Sequence, residues 1–382
     1  KEMTSKLTSQ FLLDPKLTYL NHGSFGACPK SVIENLGKWQ MRMEKDPVQL
    51  LDADISPLLA NSRNALGNFV GCEGDDLVYY PNPTHAVNAV ARSLKLKLDD
   101  EVLSTNHIYG ALDFTWKQVC KDTKAKFIKA ELPPPIKSKD EFLNKFFSYV
   151  SARTRVIFIS HITSMTAMIF PVEEIIEFAR ERDILAIIDG AHVPGHLPLN
   201  ITELDPDIYT GACHKWMCAP KGTSFLYVKK SLQNDIMPPV ISWGWEMELP
   251  DKSPFLNKHE WQGTRDMTPF LVVPEAIKFL NDNNWQERGK LNRALVVSKR
   301  NQFLELLNSR PICPDDWLGQ MATIELPIDD PLQFKQSLLE KYNIQIPVFT
   351  WENITVLRYS MHFYNTEEDL NRLIGAVKEL LD

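Results

Sequence analysis

Short apolar runs alternate along this chain with longer stretches in which apolar residues recur every three or four positions. Runs at 75–82, 101–105, 124–132, 155–160, 185–189, 207–212 and 223–230 are rich in Val, Ile, Leu, Phe and Tyr and predict strands. Before and between them, 31–45, 56–71, 84–96, 110–120, 140–150 and 172–183 carry helical spacing. Strand and helix taking turns in this way predicts an α/β fold with a mainly parallel sheet.

The pattern changes after residue 230. Residues 237–270 form a long irregular stretch rich in aromatics and prolines, and such stretches inside a compact domain usually carry function. A loop that only packs is the alternative. From about Asp266 onward, helices at 271–283, 288–308, 330–342 and 366–382 are interspersed with strands at 321–327 and within 344–363, which suggests a separate α+β unit.

The chemistry concentrates between Ile187 and Gly222. One apolar run ends in Asp189, and a second is followed closely by His214 and Lys215. Adjacent parallel strands ending in this way bring an acid and an amine to one carboxyl edge of the sheet, where open α/β folds bind ligands. A desolvated lysine can form a Schiff base with an aldehyde, and a carboxylate can keep a pyridine nitrogen protonated; together they point to pyridoxal 5'-phosphate. The plainer alternative makes Asp189 a strand cap and Lys215 a solvated lysine. Against it, Lys215 stands between His214 and Trp216 and is followed by Pro220, Lys221 and Gly222.

The stretches NHGSFGACP, SHITSMTAMIFPVEEI, DGAHVPGHLPL, TGACHKWMCAPKGTSFLYV and QGTRD, in this order from about Tyr19 onward, resemble the class V aminotransferase family. That family belongs to fold type I of the pyridoxal phosphate enzymes. Within it the chain is most similar to the isopenicillin N epimerase-like branch, which also holds cysteine and cystine C-S lyases. The resemblance implies a large domain over 20–256 with a mostly parallel seven-stranded sheet, and a small domain from 1–19 and 257–382. It implies Lys215 and Asp189 as catalytic residues, Lys215 carrying the cofactor and later taking the α-proton of an external aldimine.

The resemblance also assigns the surroundings. Thr84 and His85, at the start of a helix where unpaired N–H groups favour an anion, fall at the phosphate cradle together with His214. Tyr109 falls where a ring stacks on the pyridine face, with His107 as competitor. Ser164 stands where many relatives carry an asparagine that donates to the ring's phenolic oxygen, and His192 completes DGAH beside it. Asn21, His22 and Gly23 line a substrate carboxylate pocket, and Arg358 forks around that carboxylate, a task suited to a planar guanidinium. Gly263 and Thr264 meet the phosphate of a neighbouring subunit, which implies a homodimer with shared sites.

Taken alone, each of these residues has an ordinary reading: glycine turns, a helix cap, a buried aromatic, a surface arginine. Ala212, where relatives carry Ser or Asn, removes one phosphate contact and keeps open a catalytically silent descendant that only binds. Epimerase, C-S lyase and transaminase outcomes all remain, and neither substrate nor outcome is fixed by these residues.

Composition narrows the partners. The 382 residues suit two domains, possibly three, and 49 acids against 42 Lys and Arg give a net charge of -7, with no basic run to follow a phosphate backbone. Nucleic acid is therefore not an expected partner. No apolar run reaches the ~18 residues needed to span a bilayer, and no signal-type core precedes Tyr19, so a soluble, cytoplasmic protein is expected. Six dispersed cysteines without a C-x-x-C pair suggest free thiols and no metal site. A nicotinamide dehydrogenase lacks its G-x-G-x-x-G, and a desulfurase lacks a cysteine shortly before Arg358.

Overall fold

The computed structural model describes residues 7–246 and 252–382. Residues 1–6 of the expected small domain and 247–251 of the irregular stretch lie outside the described residues.

The apolar runs become a seven-stranded sheet: β1 (Leu77–Tyr80), β2 (Glu101–Thr105), β3 (Lys126–Ala130), β4 (Thr154–Ser160), β5 (Leu185–Gly190), β6 (Ile208–Ala212) and β7 (Ser224–Val228). Their spatial order is β1-β7-β6-β5-β4-β2-β3. Only β7 opposes the common direction, pairing antiparallel with both β1 and β6. Every residue of β1, β6 and β7 is buried, which is why these strands read as unbroken apolar runs and not as an alternation.

Helices cover both faces. α1 (Lys30–Lys45), α2 (Ile55–Val70), α3 (Pro83–Ser93), α4 (Gly110–Thr123), α5 (Lys139–Phe147) and α6 (Val172–Arg180) match the stretches with helical spacing. Successive strand residues point to opposite sides: Ile157 and Ile159 join one core with Leu66, Phe142 and Ile176, while Phe158 joins another with Val87 and Trp116.

The region read as irregular contains order that the prolines concealed. α7 (Pro254–Glu260) begins at Ser253, whose hydroxyl accepts the Leu256 amide at 3.3 Å, with Pro254 in the first turn, where its missing N–H is harmless. Arg63 and Lys252 both bind the Glu260 carboxylate at its far end.

The C-terminal part holds an antiparallel sheet of β8 (Met321–Leu326), β9 (Val348–Trp351) and β10 (Ile354–Ser360), in the order β9-β10-β8. Glu352 and Asn353 turn the hairpin with φ of 48° and 66°, as a two-residue turn of matching twist requires. α8 (Trp285–Leu306), α9 (Pro331–Tyr342) and α10 (Glu367–Leu381) complete it. Thr18–Tyr19 pairs in parallel with Ile344–Gln345, so the N-terminal segment is fastened to the C-terminal one.

Candidate active site

The parallel register aligns Ser160 with Asp189 and Gly190 with Gly211, so β4, β5 and β6 end at one edge. A cavity of about 510 Å³ opens there, lined by Thr84, His85, Tyr109, Ser164, Asp189, His192, His214 and Lys215 among others. Eight of the residues expected at the site thus surround one space.

Lys215 sits in a turn immediately after β6. The amides of Cys213 and His214 both donate to the Thr223 carbonyl at 3.1 Å, and the Cys218 amide closes the turn on the Lys215 carbonyl at 3.1 Å. Gly26 packs against this turn with φ of 67°; a Cβ there would lie 2.1 Å from the His214 carbonyl oxygen, so only glycine fits. Burial, aided by the charge of Arg358, lowers the Lys215 amine to about 8. Asp189 is buried as well, with one oxygen accepting the Ala191 amide at 3.0 Å, and desolvation raises its pKa. Each of the two groups would gain from a partner of complementary charge.

At the start of α3, the Asn82 side chain accepts the His85 amide at 3.0 Å and its carbonyl accepts the Ala86 amide. Pro83 has no N–H, and among the described residues the Thr84 amide is the donor of this helix end left without a partner. His214 donates from Nδ1 to the Thr223 carbonyl at 2.9 Å, and burial lowers its imidazole to about 4. A bound anion would favour the protonated ring.

Tyr109 precedes α4, lines the cavity and is 44 % exposed. His107, its competitor, is fully buried, with ring nitrogens 2.8 Å from the Thr166 hydroxyl and 2.7 Å from the Leu132 carbonyl. It does not line the cavity.

Arg358, on β10, donates to the Ser164 carbonyl at 2.5 Å, to the Ser164 hydroxyl at 3.3 Å and to the Ser24 hydroxyl at 2.9 Å. Ser24 in turn donates to Asn21 at 2.5 Å, and a Cβ on Gly23 would approach the guanidinium within 3.6 Å. Burial lowers Arg358 to about 10, and among the described residues no carboxylate pairs with it. A buried guanidinium in this condition calls for an anion.

His22 lies elsewhere than in an open carboxylate pocket. It is fully buried, with Nε2 2.9 Å from the Lys215 carbonyl and Nδ1 2.9 Å from the Tyr364 hydroxyl. His22, Cys218 and His362 bring possible metal-ligating atoms within 4.8 Å of one another, but the two imidazoles are stacked at 3.7 Å and 13°. Parallel rings do not converge their lone pairs, and both contact backbone carbonyls of the lysine turn through Nε2. Gly263 and Thr264 do not line this cavity; Thr264 is exposed.

Sequence reasoning passed over Asn82, Ser24 and Lys221, all of which line the cavity. Asn82 had a signal: it precedes Pro83 as a helix cap should. The described cysteines are free, all but Cys72 being buried, and among the described residues no helix is long and apolar enough to cross a membrane.

Residues 18–373 match the family model described as Aminotransferase class-V. An isopenicillin N epimerase of Amycolatopsis lactamdurans is 32% identical over 97% of this chain and 97% of its own. A probable L-cysteine desulfhydrase, chloroplastic, of Arabidopsis thaliana is 28% identical over 99% of this chain and 86% of its own. Among solved structures, a cysteine desulfurase from Thermococcus onnurineus NA1 superposes with a TM-score of 0.85, covering 98% of this chain and 97% of that one, at 18% identity. At that identity the likeness is one of fold.

Proposed function

Because the chain belongs to the class-V aminotransferase family, we propose that it is a pyridoxal 5'-phosphate enzyme of fold type I acting at Cα of an amino acid or small peptide, with isopenicillin N epimerase-like inversion as the first reading. The observation that carries this is a half-buried amine, Lys215, and a buried carboxylate, Asp189, facing one cavity beside an arginine that pairs with no carboxylate among the described residues.

The donor set fits the cofactor. Lys215 would be the amine for its aldehyde, Asp189 the partner of its ring nitrogen, and Tyr109 a side chain beside its ring. Ser164 and His192 serve its phenolic oxygen, and Thr84, His85 and His214 its phosphate. When bound, pyridoxal phosphate supplies an electron sink that acidifies the substrate's α-hydrogen.

The chain's residues do the rest. Arg358 binds and orients the substrate carboxylate through a planar fork. Ser24 and Ser164 hold that fork in place. Lys215, whose amine is close to half neutral near pH 8, takes the α-proton. Asp189, kept from water, would hold a protonated ring nitrogen of the cofactor by its charge.

C-S lysis of a cysteine-like substrate is the second reading, favoured by the likeness to an L-cysteine desulfhydrase. A persulfide-carrying desulfurase mechanism fits poorly: residues 343–357 contain no cysteine, and Cys313 is buried with its thiol pushed up to about 11. A homodimer with shared sites is part of the proposal. Exposed Phe25, Ile241 and Trp243 support it as large apolar side chains left in water.

The deciding experiment incubates the loaded enzyme with a panel of amino acids and small peptides in deuterated water. Deuterium at Cα with inversion supports epimerisation, and pyruvate with ammonia supports lysis. A protein that stays colourless after pyridoxal phosphate is supplied, with no borohydride-fixed label on Lys215, overturns the proposal.

A further inference from the structure

His192 and Lys215 meet at 3.3 Å, Nε2 to Nζ, and the direction of that hydrogen bond is decided on the other side of the imidazole. There Nδ1 lies 3.3 Å from Nε1 of Trp216. An indole N–H only donates, so Nδ1 must accept. His192 is buried, and desolvation followed by the charge of Lys215 keeps the imidazole neutral. A neutral ring that accepts at Nδ1 carries its one proton on Nε2, facing the lysine. An amine can accept that hydrogen; an ammonium has no lone pair with which to do so.

We propose that Trp216 is a positioning residue: its indole N–H sets the tautomer of His192, which then donates to Lys215 and holds the amine unprotonated and nucleophilic. This deepens the proposed function and rests on it only in taking Lys215 as the reactive amine.

The frame around the indole is equally one-directional. The Gln320 amide donates to Nε2 of His196 at 2.5 Å, so His196 carries its proton on Nδ1, which donates to the His192 carbonyl at 3.0 Å. The His196 ring lies 3.9 Å from that of Trp216, and the indole is fully buried. Both ends of His192, backbone and ring, are therefore fixed by groups that cannot reverse their roles. Of the charged and titratable groups facing the pair, Arg358 opposes a proton on either member and Asp189 favours one on Lys215, while His196 and His214 add to the opposition at His192. The 3.3 Å bond is long enough to leave the amine free to move once an aldehyde arrives.

The test reads the lysine itself. The full chain, freed of cofactor, is trace-acetylated from about pH 6 to about pH 10, and the peptide holding Lys215 is quantified by mass spectrometry to give its own titration. In Trp216→Phe, which keeps an aromatic ring and removes the N–H, the midpoint is expected to rise by roughly one pH unit. An unchanged midpoint overturns the proposal. Should that variant fold poorly, nitrogen-15 spectra of the histidine-labelled parent decide, with His192 assigned through His192→Gln: protonation at Nε2 is expected, and protonation at Nδ1 overturns the inference. Neither readout requires cofactor, so failure to take up pyridoxal phosphate would sink the proposed function separately.

Discussion

Nε2 of His22 stands 2.9 Å from the backbone carbonyl of Lys215, a bond that joins positions 193 residues apart. A histidine in the first glycine-containing turn thus braces the turn carrying Lys215, with the Tyr364 hydroxyl fixing its other nitrogen.

Replacing His22 by Ala removes the partner of the buried Tyr364 hydroxyl, at about 1–3 kcal/mol, and leaves the Lys215 carbonyl with the Cys218 amide alone. The variant is expected to melt several degrees lower and to take a borohydride-fixed label at Lys215 more slowly, while KM for the amino acid changes little. A KM that rose tenfold with stability intact would return His22 to the substrate pocket.

Arg358→Lys keeps the charge and loses the fork. Hydrogen bonds to charged groups contribute about 1.5–3 kcal/mol, so KM for a carboxylate-bearing substrate should rise roughly 10- to 100-fold. Cofactor absorbance should match the parent. Steady-state kinetics beside the visible spectrum check this, and an unaltered KM would remove Arg358 from carboxylate recognition.

Acid should unfold this protein early. His107, His196 and His362 are buried and neutral, their imidazoles lowered by desolvation from 6.5 to about 4, about 3 and about 3. The unfolded chain therefore binds protons first. Stability from these groups is fully present above pH 6.5 and falls, by up to ~1.4 kcal/mol per pH unit for each ring, as pH drops toward those lower values. Urea midpoints at pH 7.5 and pH 5.5 test the sign; equal midpoints contradict it.

If Gly263 and Thr264 serve the neighbouring subunit's phosphate, a Lys215→Ala chain and a Thr264→Asp chain are each inactive alone yet complement one another. Every mixed dimer has one intact site, so random mixing should restore about a quarter of parent activity. No recovery after co-refolding would confine each site to one chain.

Most of the sheet was legible because strands such as β1, β6 and β7 are buried throughout and read as solid apolar runs, while edge strand β3 is only partly buried; Asp189 and Lys215 followed from where two such runs stop. The helix at Pro254–Glu260 was missed because its prolines suggested a loop, although Ser253–Pro254 is a helix start. That Tyr109 lines the cavity and His107 does not follows from hydrogen bonds of His107 to Leu132 and Thr166, partners 25 and 59 residues away, which no local pattern announces. The bracing by His22 and the bond from Trp216 to His192 depend in the same way on the folded chain.

The grip of Arg358 on Ser164 spans 194 residues, whereas Asp189 and the turn holding Lys215 sit on neighbouring strands. A polypeptide leaving the ribosome amino end first therefore completes the strand edge bearing Asp189 and Lys215 long before the strand bearing Arg358 exists. Evolution is left a seam: under the proposed function, altering the late-arriving β8–β10 sheet would exchange the clientele of such a molecule while leaving the edge with Asp189 and Lys215 as it is.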